Sequence, residues 1–296
     1  MRILLVSHLF PPSHSAGVEV FTAELAQGLV EIGHQVAVFH TNKRVGRRDM
    51  SLARKTYQGI PVFELNNNLF HRDFRDTWDH AGVDARFEEA LEEFQPDVVH
   101  FHHFMYLSKG CLPLAKKHAR AVLFTPHDYF LECASMGQLV YVDGSVCERV
   151  DTRKCGSCLP HFDWRQSDTQ RRVGRALGAF HGITGLDLGP LARRLASLGG
   201  ARSGASTVRG AGSVPETPDE AEVEAWAEFA ETRRTDWLEA VRSHVDRFLC
   251  PSQFLAGRMK RFGLPPERVF LCPTGVNEEQ FLAGAGTQTR ERKRKR

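Results

Sequence analysis

A histidine and an aspartate, His127 and Asp128, stand at the end of a short apolar segment, AVLFTPHD. Apolar runs of this length are typical of buried strands in a parallel sheet, and ligands bind at the carboxyl ends of such strands. A histidine there can be held in one tautomer by a hydrogen bond to a carboxylate or carbonyl, and can then donate to a hydroxyl group of a substrate. The position favours a functional role for His127, although packing would also account for it.

Three more histidines, His100, His102 and His103, close the segment PDVVHFHH. Side chains of a strand alternate between its two faces, so we expect His100 and His102 on one face and His103 on the other, nearer the following loop. Three imidazoles could bind a metal, but no carboxylate stands beside them in the sequence. A ligand-binding pocket and a structural role remain equally good explanations.

Four cysteines follow the His-Asp pair with the spacing C-x13-C-x7-C-x2-C: Cys133, Cys147, Cys155 and Cys158. The C-x2-C end is a common spacing for two thiolates that bind one tetrahedral zinc ion. The loop between the cysteines is polar and rich in turn residues, so a bound ion would supply the order that apolar burial cannot. One structural zinc is our main interpretation, with no catalytic metal; free or redox-active thiols and one or two disulfides are the alternatives.

The elements that must position these residues alternate between strand and helix patterns. Residues 2–6, RILLV, read as a strand buried on both faces, residues 18–32 carry apolar side chains at helical spacing, and residues 36–39 read as the next strand. Further strands are predicted at 60–65, 96–102 and 121–127, and helices at 85–94 and 112–119. This order predicts a Rossmann-like, doubly wound parallel α/β sheet.

The alternation is interrupted after residue 127. Residues 128–160 form the Cys-rich loop, and residues 161–245 form a helical insertion with a Gly/Ser/Pro-rich part, 199–218, that we expect to be mobile. A helix at about 219–243 then leads back to a strand, a helix and a strand that end near residue 276. We therefore predict one Rossmann-like domain over residues 1–281 and a disordered basic tail over 282–296.

The charge and composition exclude several classes of protein. The formal net charge of +3 comes from the segment 287–296, which holds six basic residues and one glutamate, so the rest of the chain carries about −2 and gives no reason to expect a nucleic-acid partner. No run approaches the roughly 18 apolar residues of a membrane span, and the N-terminus lacks a signal-peptide cleavage pattern. We expect a cytoplasmic protein, in which Cys111, Cys250 and Cys272 are core thiols.

One helical segment, residues 165–180, is rich in arginine. A basic amphipathic helix can contact a phosphorylated lipid at a membrane surface, and peripheral membrane association is therefore one interpretation. An ordinary solvated helix face is the other.

The ordered set of segments resembles a known family. RILLVSHLFPPSHSAGVEVF, PDVVHFHHF, TPHDY and FLCPSQFLAGRMKRFGLPPERVFLCPTGVNEEQF are similar, in order and spacing, to the N-terminal half of a GT-B glycosyltransferase of the large retaining family that contains sucrose- and mannosyl-transferases. The resemblance covers residues 1–281. It implies an N-terminal Rossmann-like domain that binds the acceptor and faces a second domain that binds a nucleotide sugar.

The resemblance also implies roles for particular residues. His127 would contact the transferred sugar near the reacting carbon, and the loop of Ala16, Gly17 and Val18 would lie under the donor diphosphate. From the residues alone, a glycine before a helix lets backbone N–H groups approach a phosphate, although a tight turn would explain it too. His102, His103 and Asp128 are candidates for binding the acceptor, which could be a sugar, a lipid-linked molecule or a small molecule.

This sequence departs from the family pattern after Phe281, where only LAGAGTQTRERKRKR follows. The second domain, and the pair of glutamates eight residues apart that holds the donor in the family, are not found in these residues. The expectation is half of a retaining glycosyltransferase that is inactive as this chain alone. The alternative is a non-catalytic module that binds a sugar or another subunit.

Overall fold

A sheet of eight strands runs through the centre of the computed structural model, which describes residues 1–162, 164–198 and 218–275. The strand order is β3-β4-β2-β1-β5-β6-β7-β8, and every neighbouring pair is parallel except β3 with β4. The strands are β1 (Arg2–Ser7), β2 (Gln35–Asn42), β3 (Ser51–Tyr57), β4 (Ile60–Asn66), β5 (Val98–Phe101), β6 (Ala121–Phe124), β7 (Arg247–Cys250) and β8 (Val269–Leu271). The predicted Rossmann-like α/β class is confirmed.

The apolar run of β1 is buried on both sides because helices cover both faces of the sheet. Leu4 and Val6 face a large core, whereas Ile3 and Leu5 face a smaller core with side chains of the first helix. The helices are α1 (Gly17–Glu31), α2 (Ala81–Phe94), α3 (Cys111–His118), α4 (Thr152–Cys158), α5 (Asp168–Thr184), α6 (Gly189–Leu198), α7 (Glu220–His244) and α8 (Gln253–Phe262). Short 3₁₀ helices lie at Phe74–Thr77, Leu159–His161 and Pro266–Arg268. Among the described residues, no helix combines the length and apolarity needed to span a bilayer.

One strand was not expected from the sequence. β3 pairs antiparallel with β4 through a tight turn at Gln58 and Gly59, both of which have positive φ angles of 48° and 83°. Its residues are half-buried or exposed because β3 is an edge strand, so its sequence lacks the apolar run that marked the inner strands.

The Cys-rich segment is more ordered than predicted. Asp151 caps a helix, α4, by accepting a hydrogen bond from the backbone of Lys154, and α4 packs closely on α7. A Cβ at Gly156 would lie 2.2 Å from the carbonyl oxygen of Val223, so the two helices touch backbone to backbone. Phe130 and Leu159 are buried in the main core. Apolar burial therefore orders both ends of this segment, contrary to the expectation that it had no such source of order.

The predicted helix at 219–243 is confirmed as α7. Its side chains contact distant parts of the chain: Asp236 accepts a hydrogen bond from the Trp78 indole at 2.9 Å, and Arg233 donates to the carbonyl of Phe130 at 2.9 Å. Two predictions lie outside the described residues, the mobile segment over most of 199–218 and the disordered tail at 282–296.

Candidate functional site

The strand order places a crevice between β1 and β5. The chain moves from β1 outward through β2 to β4, and then returns to the other side of β1 to form β5. At such a reversal the loops after the two central strands diverge and leave space for a ligand at their carboxyl ends. His8 follows β1 and His103 follows β5, and their rings lie 4.3 Å apart at this point.

His103 and Asp128 form a hydrogen-bonded pair at this edge. The His103 Nδ1 atom accepts a hydrogen bond from the backbone N–H of Met105 at 2.9 Å. A neutral His103 therefore carries its proton on Nε2, which donates to Asp128 Oδ2 at 2.7 Å. His103 is 4% exposed, whereas the Asp128 side chain is 36% exposed, so the aspartate is the member of the pair that reaches solvent.

The expected contact between His127 and a carboxylate is not formed, because Asp128 turns to the neighbouring strand end. His127 instead lies beside His102, with its Nε2 atom 3.5 Å from His102 Nδ1. The centres of the His102 and His100 rings lie 4.2 Å apart, with the rings tilted by 42°, which agrees with the predicted common face of these two residues. His100 in turn contacts the Thr125 hydroxyl at 2.8 Å. The three histidines thus form a row from the sheet interior to the crevice.

Burial keeps this row neutral. Burial and the proximity of His127 lower the pKa of His100 to about 3, and burial with the other two imidazoles lowers the pKa of His102 well below its usual range. Burial, followed by His103, lowers the pKa of half-buried His127 to about 4 despite the opposing effect of Asp128. His102 is fully buried behind His127, so His127 is the member of the row that a ligand could reach.

Two residues of this edge, His8 and Glu19, were missed from the sequence. Glu19, in the first turn of α1, is 2% exposed, and its Oε1 atom lies 3.3 Å from His8 Nε2. Burial, and then the neighbouring histidines, lower the pKa of His8 to about 2. His8 could have been found from the sequence, because it directly follows the strand β1. Glu19 could not, because a charged residue in a helix is usually exposed to solvent.

The loop of Ala16, Gly17 and Val18 forms the start of α1. Ala16 is the N-cap residue and provides no side-chain hydrogen bond to the first turn. A Cβ at Gly17 would meet no atom within 4 Å, so the space above this glycine is open. The first-turn N–H groups and the helix dipole favour an anion at such a place.

A larger pocket of about 460 Å³ opens among the loops that follow β1, β2, β4, β5 and β6. Its volume is typical of a small-molecule site. Lys43, Arg165 and Arg233 add positive charge to its wall, and the lining contains no carboxylate. Aromatic and amide side chains form much of the rest, among them Phe74, Tyr106, Trp164, Asn67, Gln166 and Gln170. Phe130 is shared between this pocket and the small cavity that His127 and Asp128 line.

The four cysteines of the predicted zinc site line one small cavity of about 30 Å³. Burial, and then the neighbouring thiols, raise the pKa of Cys155 to about 12 and that of Cys158 to about 11. In the part of the chain that the structure describes, the group of three ligand-type side chains within 4.8 Å of one another is His71, Asp76 and His80, so no three cysteine sulfurs are that close. Cys111 and Cys250 are buried as expected, whereas Cys272 is exposed.

Two members of the group of His71, Asp76 and His80 already have hydrogen-bond partners within the protein, whereas the buried Nδ1 atom of His71 has none among the described residues. The Asp76 carboxylate accepts hydrogen bonds from the backbone and the guanidinium of Arg72, and His80 Nδ1 accepts one from the N–H of Gly82 at 3.1 Å. With these hydrogen bonds the Asp76 carboxylate and the His80 imidazole stabilise local turns of the backbone.

The match to a family profile decides the membership of this chain. A profile described as Glycosyltransferase Family 4 matches residues 15–175, which is more than half of the 296 residues. The chain belongs to glycosyltransferase family 4. The match includes the glycine loop, the histidine row and the four cysteines of the predicted zinc site, so these residues lie within the family 4 domain.

One curated relative matches part of this family 4 chain. It is an uncharacterized 42.6 kDa protein in the cps region of Klebsiella pneumoniae, 28% identical over 143 residues that make up 44% of this chain and 38% of that protein. The match therefore spans less than half of the length of the relative.

Several solved structures align with this chain at low sequence identity and with TM-scores below 0.5. Sucrose-phosphate synthase from Thermosynechococcus elongatus is 11% identical, with a TM-score of 0.42 over 98% of both chains. The catalytic domain of starch synthase IV from Arabidopsis thaliana, bound to ADP and acarbose, is 11% identical, with a TM-score of 0.32 over 93% of this chain and 74% of that one. A trehalose-6-phosphate structure from E. coli, bound with UDP-2-fluoro glucose, is 15% identical, with a TM-score of 0.31 over 43% and 33%.

Proposed function

We propose that this chain is the acceptor-binding domain of an enzyme that transfers a sugar from a nucleotide-sugar donor with retention of configuration. Family 4 membership supports the reaction class. The observation that carries the proposal is the common edge of the sheet, at which the 460 Å³ pocket, His127 and the glycine loop all lie. A second domain that faces this edge would supply the nucleotide-sugar site.

The acceptor would occupy the 460 Å³ pocket. Trp164 and Tyr106 offer flat apolar faces on which a sugar ring can lie, and the amides of Asn67 and Gln166 can bond its hydroxyl groups. Because the lining holds Lys43, Arg165 and Arg233 but no carboxylate, an acceptor with a phosphate or carboxylate group fits this pocket best.

At the reacting centre, the domain would mainly position groups. In a retaining transfer without a covalent intermediate, the acceptor hydroxyl attacks on the face that the diphosphate leaves, so alignment and stabilisation of the leaving group supply most of the rate. The first turn of α1 would stabilise the diphosphate near Gly17. The neutral His127 imidazole would bond a hydroxyl of the transferred sugar, while His102 and the His103–Asp128 pair hold the surrounding side chains in place.

A membrane surface would give access to a lipid-linked acceptor. The helix α5 exposes Val173, Phe180 and Ile183, which lie on one face at helical spacing, and Ile183 is 87% exposed. Arg172 and Arg175 are exposed on the same helix. Exposed apolar side chains beside arginines favour peripheral binding to anionic lipid.

The test is a transfer assay on the polypeptide as the cell makes it. Labelled nucleotide sugars would be incubated with saccharide and lipid fractions from the same cells, for the wild-type protein and for His127→Ala. We expect label to appear in one fraction with the wild-type protein and to fall sharply with the variant. Binding of a sugar without any transfer would instead place the chain among non-catalytic sugar- or subunit-binding modules.

A further inference from the structure

Three separate segments bring the four cysteines together. Cys133 lies in the turn after β6, Cys147 lies in a hairpin-like segment closed by a bridge between Val140 and Val146, and Cys155 and Cys158 lie on α4. Residues three apart share one face of a helix, so both α4 sulfurs can point to the same place. All four cysteines line the cavity of about 30 Å³, which has room for a single ion.

The part of the loop that lacks apolar anchors is the part that carries Cys147. Residues 142–146 are exposed, including the side chains of Val142 and Val146. Backbone hydrogen bonds hold this hairpin, from Tyr141 N–H to the Ser145 carbonyl at 2.8 Å and from Cys147 N–H to the Leu139 carbonyl at 2.7 Å. Its side-chain contact with α4 is that of Lys154 Nζ, which lies 4.4 Å from the centre of the Tyr141 ring. A link from Cys147 to α4 would fix a segment that its own side chains cannot bury.

A buried cation, Arg233, lies beside the cysteines. The guanidinium of Arg233 is 2% exposed, and its Nη1 atom has no hydrogen-bond partner among the described residues. It lies close enough to Cys133, Asp128 and Cys155 to interact with them electrostatically. A tetrahedral zinc ion with four thiolates carries a net charge of −2, which the positive charges of Arg233 and nearby Lys154 would balance.

We propose that Cys133, Cys147, Cys155 and Cys158 bind one structural zinc ion that fastens the exposed hairpin to α4. With zinc–sulfur bonds of about 2.3 Å, the sulfurs of a tetrahedral site lie about 3.8 Å apart. The thiols must therefore rotate inward from their present positions, and each must release its proton when the metal binds. This site is separate from the proposed sugar-transfer chemistry, because four thiolates leave no coordination position for a substrate.

The first experiment measures metal content. The full chain, purified without added metal, is analysed for zinc, iron and sulfide alongside the double variant Cys155→Ser/Cys158→Ser, the single variant Cys147→Ser and the control Cys272→Ser, which alters an exposed cysteine outside the cluster. We expect about one equivalent of zinc in the wild type and the control, and a loss of at least tenfold in the double variant. The single variant removes Cys147, the proposed zinc ligand in the hairpin, and leaves the sequence of α4 unchanged.

The second experiment detects the ordering. Trypsin can cleave after Arg149, Arg153 and Lys154, which lie next to the cysteines. A chelator should make these bonds at least tenfold more sensitive in the wild type and in Cys272→Ser, while the circular dichroism of the α/β core stays unchanged. The double variant should be sensitive with or without chelator.

Several results would overturn the proposal. Wild-type protein without zinc, with four thiols that titrate freely after denaturation, would assign the cysteines to a reduced or redox-active cluster. A disulfide-linked peptide found by mass spectrometry would assign them to a covalent bridge. Iron with stoichiometric sulfide would assign them to a cluster of another kind.

Discussion

Asp128 accepts a hydrogen bond from the buried His103 imidazole through Oδ2 at 2.7 Å, and uses its other oxygen, Oδ1, to accept from the backbone N–H of Phe130 at 2.9 Å. Both oxygens must therefore act as acceptors at once. One carboxylate therefore holds His103 in a single tautomer and also fixes the backbone at the start of the Cys-rich segment.

We expect Asp128→Asn to be nearly as destabilising as Asp128→Ala, by roughly 1–2 kcal/mol. An amide has one acceptor oxygen, so its NH₂ group would face either the His103 Nε2–H or the Phe130 N–H as a second donor. The control is Asp143→Asn, because Asp143 accepts hydrogen bonds from the backbone N–H and the hydroxyl of Ser145 in an exposed turn, and an amide oxygen with a rotatable hydroxyl can replace them. Equilibrium denaturation measures all three, and an Asp128→Asn protein of wild-type stability would contradict the prediction.

His127→Ala should lower the kcat of the assembled enzyme by roughly 10²-fold, the usual scale for a positioned polar group at a reacting centre. Folding should survive because His127 is half-buried at the rim of the crevice. His34→Ala is the matched control, since His34 precedes β2 at the opposite edge of the sheet. Steady-state kinetics with circular dichroism would check this, and a folded variant with the wild-type rate would return His127 to a packing role.

Gly17→Val should raise the KM for the nucleotide sugar by about tenfold or more while leaving Tm almost unchanged. The added side chain would meet no protein atom near its Cβ, but it would stand where the diphosphate is proposed to approach the first turn of α1. Gly28→Ala, farther along the same helix and also free of neighbours, should leave KM unchanged. Equal KM values for Gly17→Val and wild type would remove the donor role of this loop.

Stability should decline as the pH falls below about 6.5. Burial lowers the pKa of His100 to about 3 and that of His71 to about 4, so these residues stay neutral in the folded state while the unfolded chain takes up protons. Each such histidine removes up to about 1.4 kcal/mol of unfolding free energy per pH unit between about 6.5 and its folded pKa, and no loss arises above that window. Denaturation of wild type and His100→Gln at several pH values would show a shallower slope for the variant; parallel slopes would contradict the assignment.

The double change Phe180→Asp/Ile183→Asp should reduce binding to vesicles of anionic phospholipid by at least tenfold, because each buried side chain of this size contributes about 1.5–3 kcal/mol. Ile32→Asp, a change at the exposed residue that follows α1, should not reduce it. Co-sedimentation with anionic and with zwitterionic vesicles measures the effect. Equal sedimentation of all proteins would leave α5 as a solvated helix.

The inner strands and their helices could be predicted because burial on both faces leaves a direct trace in the sequence, as in β1 and α1. β3 could not, since an edge strand needs no apolar run. The side-chain partners after the strands were also beyond prediction: adjacency suggested a His127–Asp128 unit, whereas the backbone turn at Phe130 directs Asp128 to His103. The burial of Arg233 could not be predicted either, because nothing in the sequence of α7 distinguishes an arginine that faces the interior from one that faces solvent.

The contacts of α7 have a consequence for the order of folding. The bond from Trp78 to Asp236 joins residues 158 positions apart, and the bond from Arg233 to Phe130 joins residues 103 apart. Closing such long loops costs chain entropy before the contacts form, so α7 should dock after the first βαβ units have assembled. Because α4 rests on α7 at Gly156, the hairpin of the Cys-rich segment should gain protection from amide exchange in the same late step.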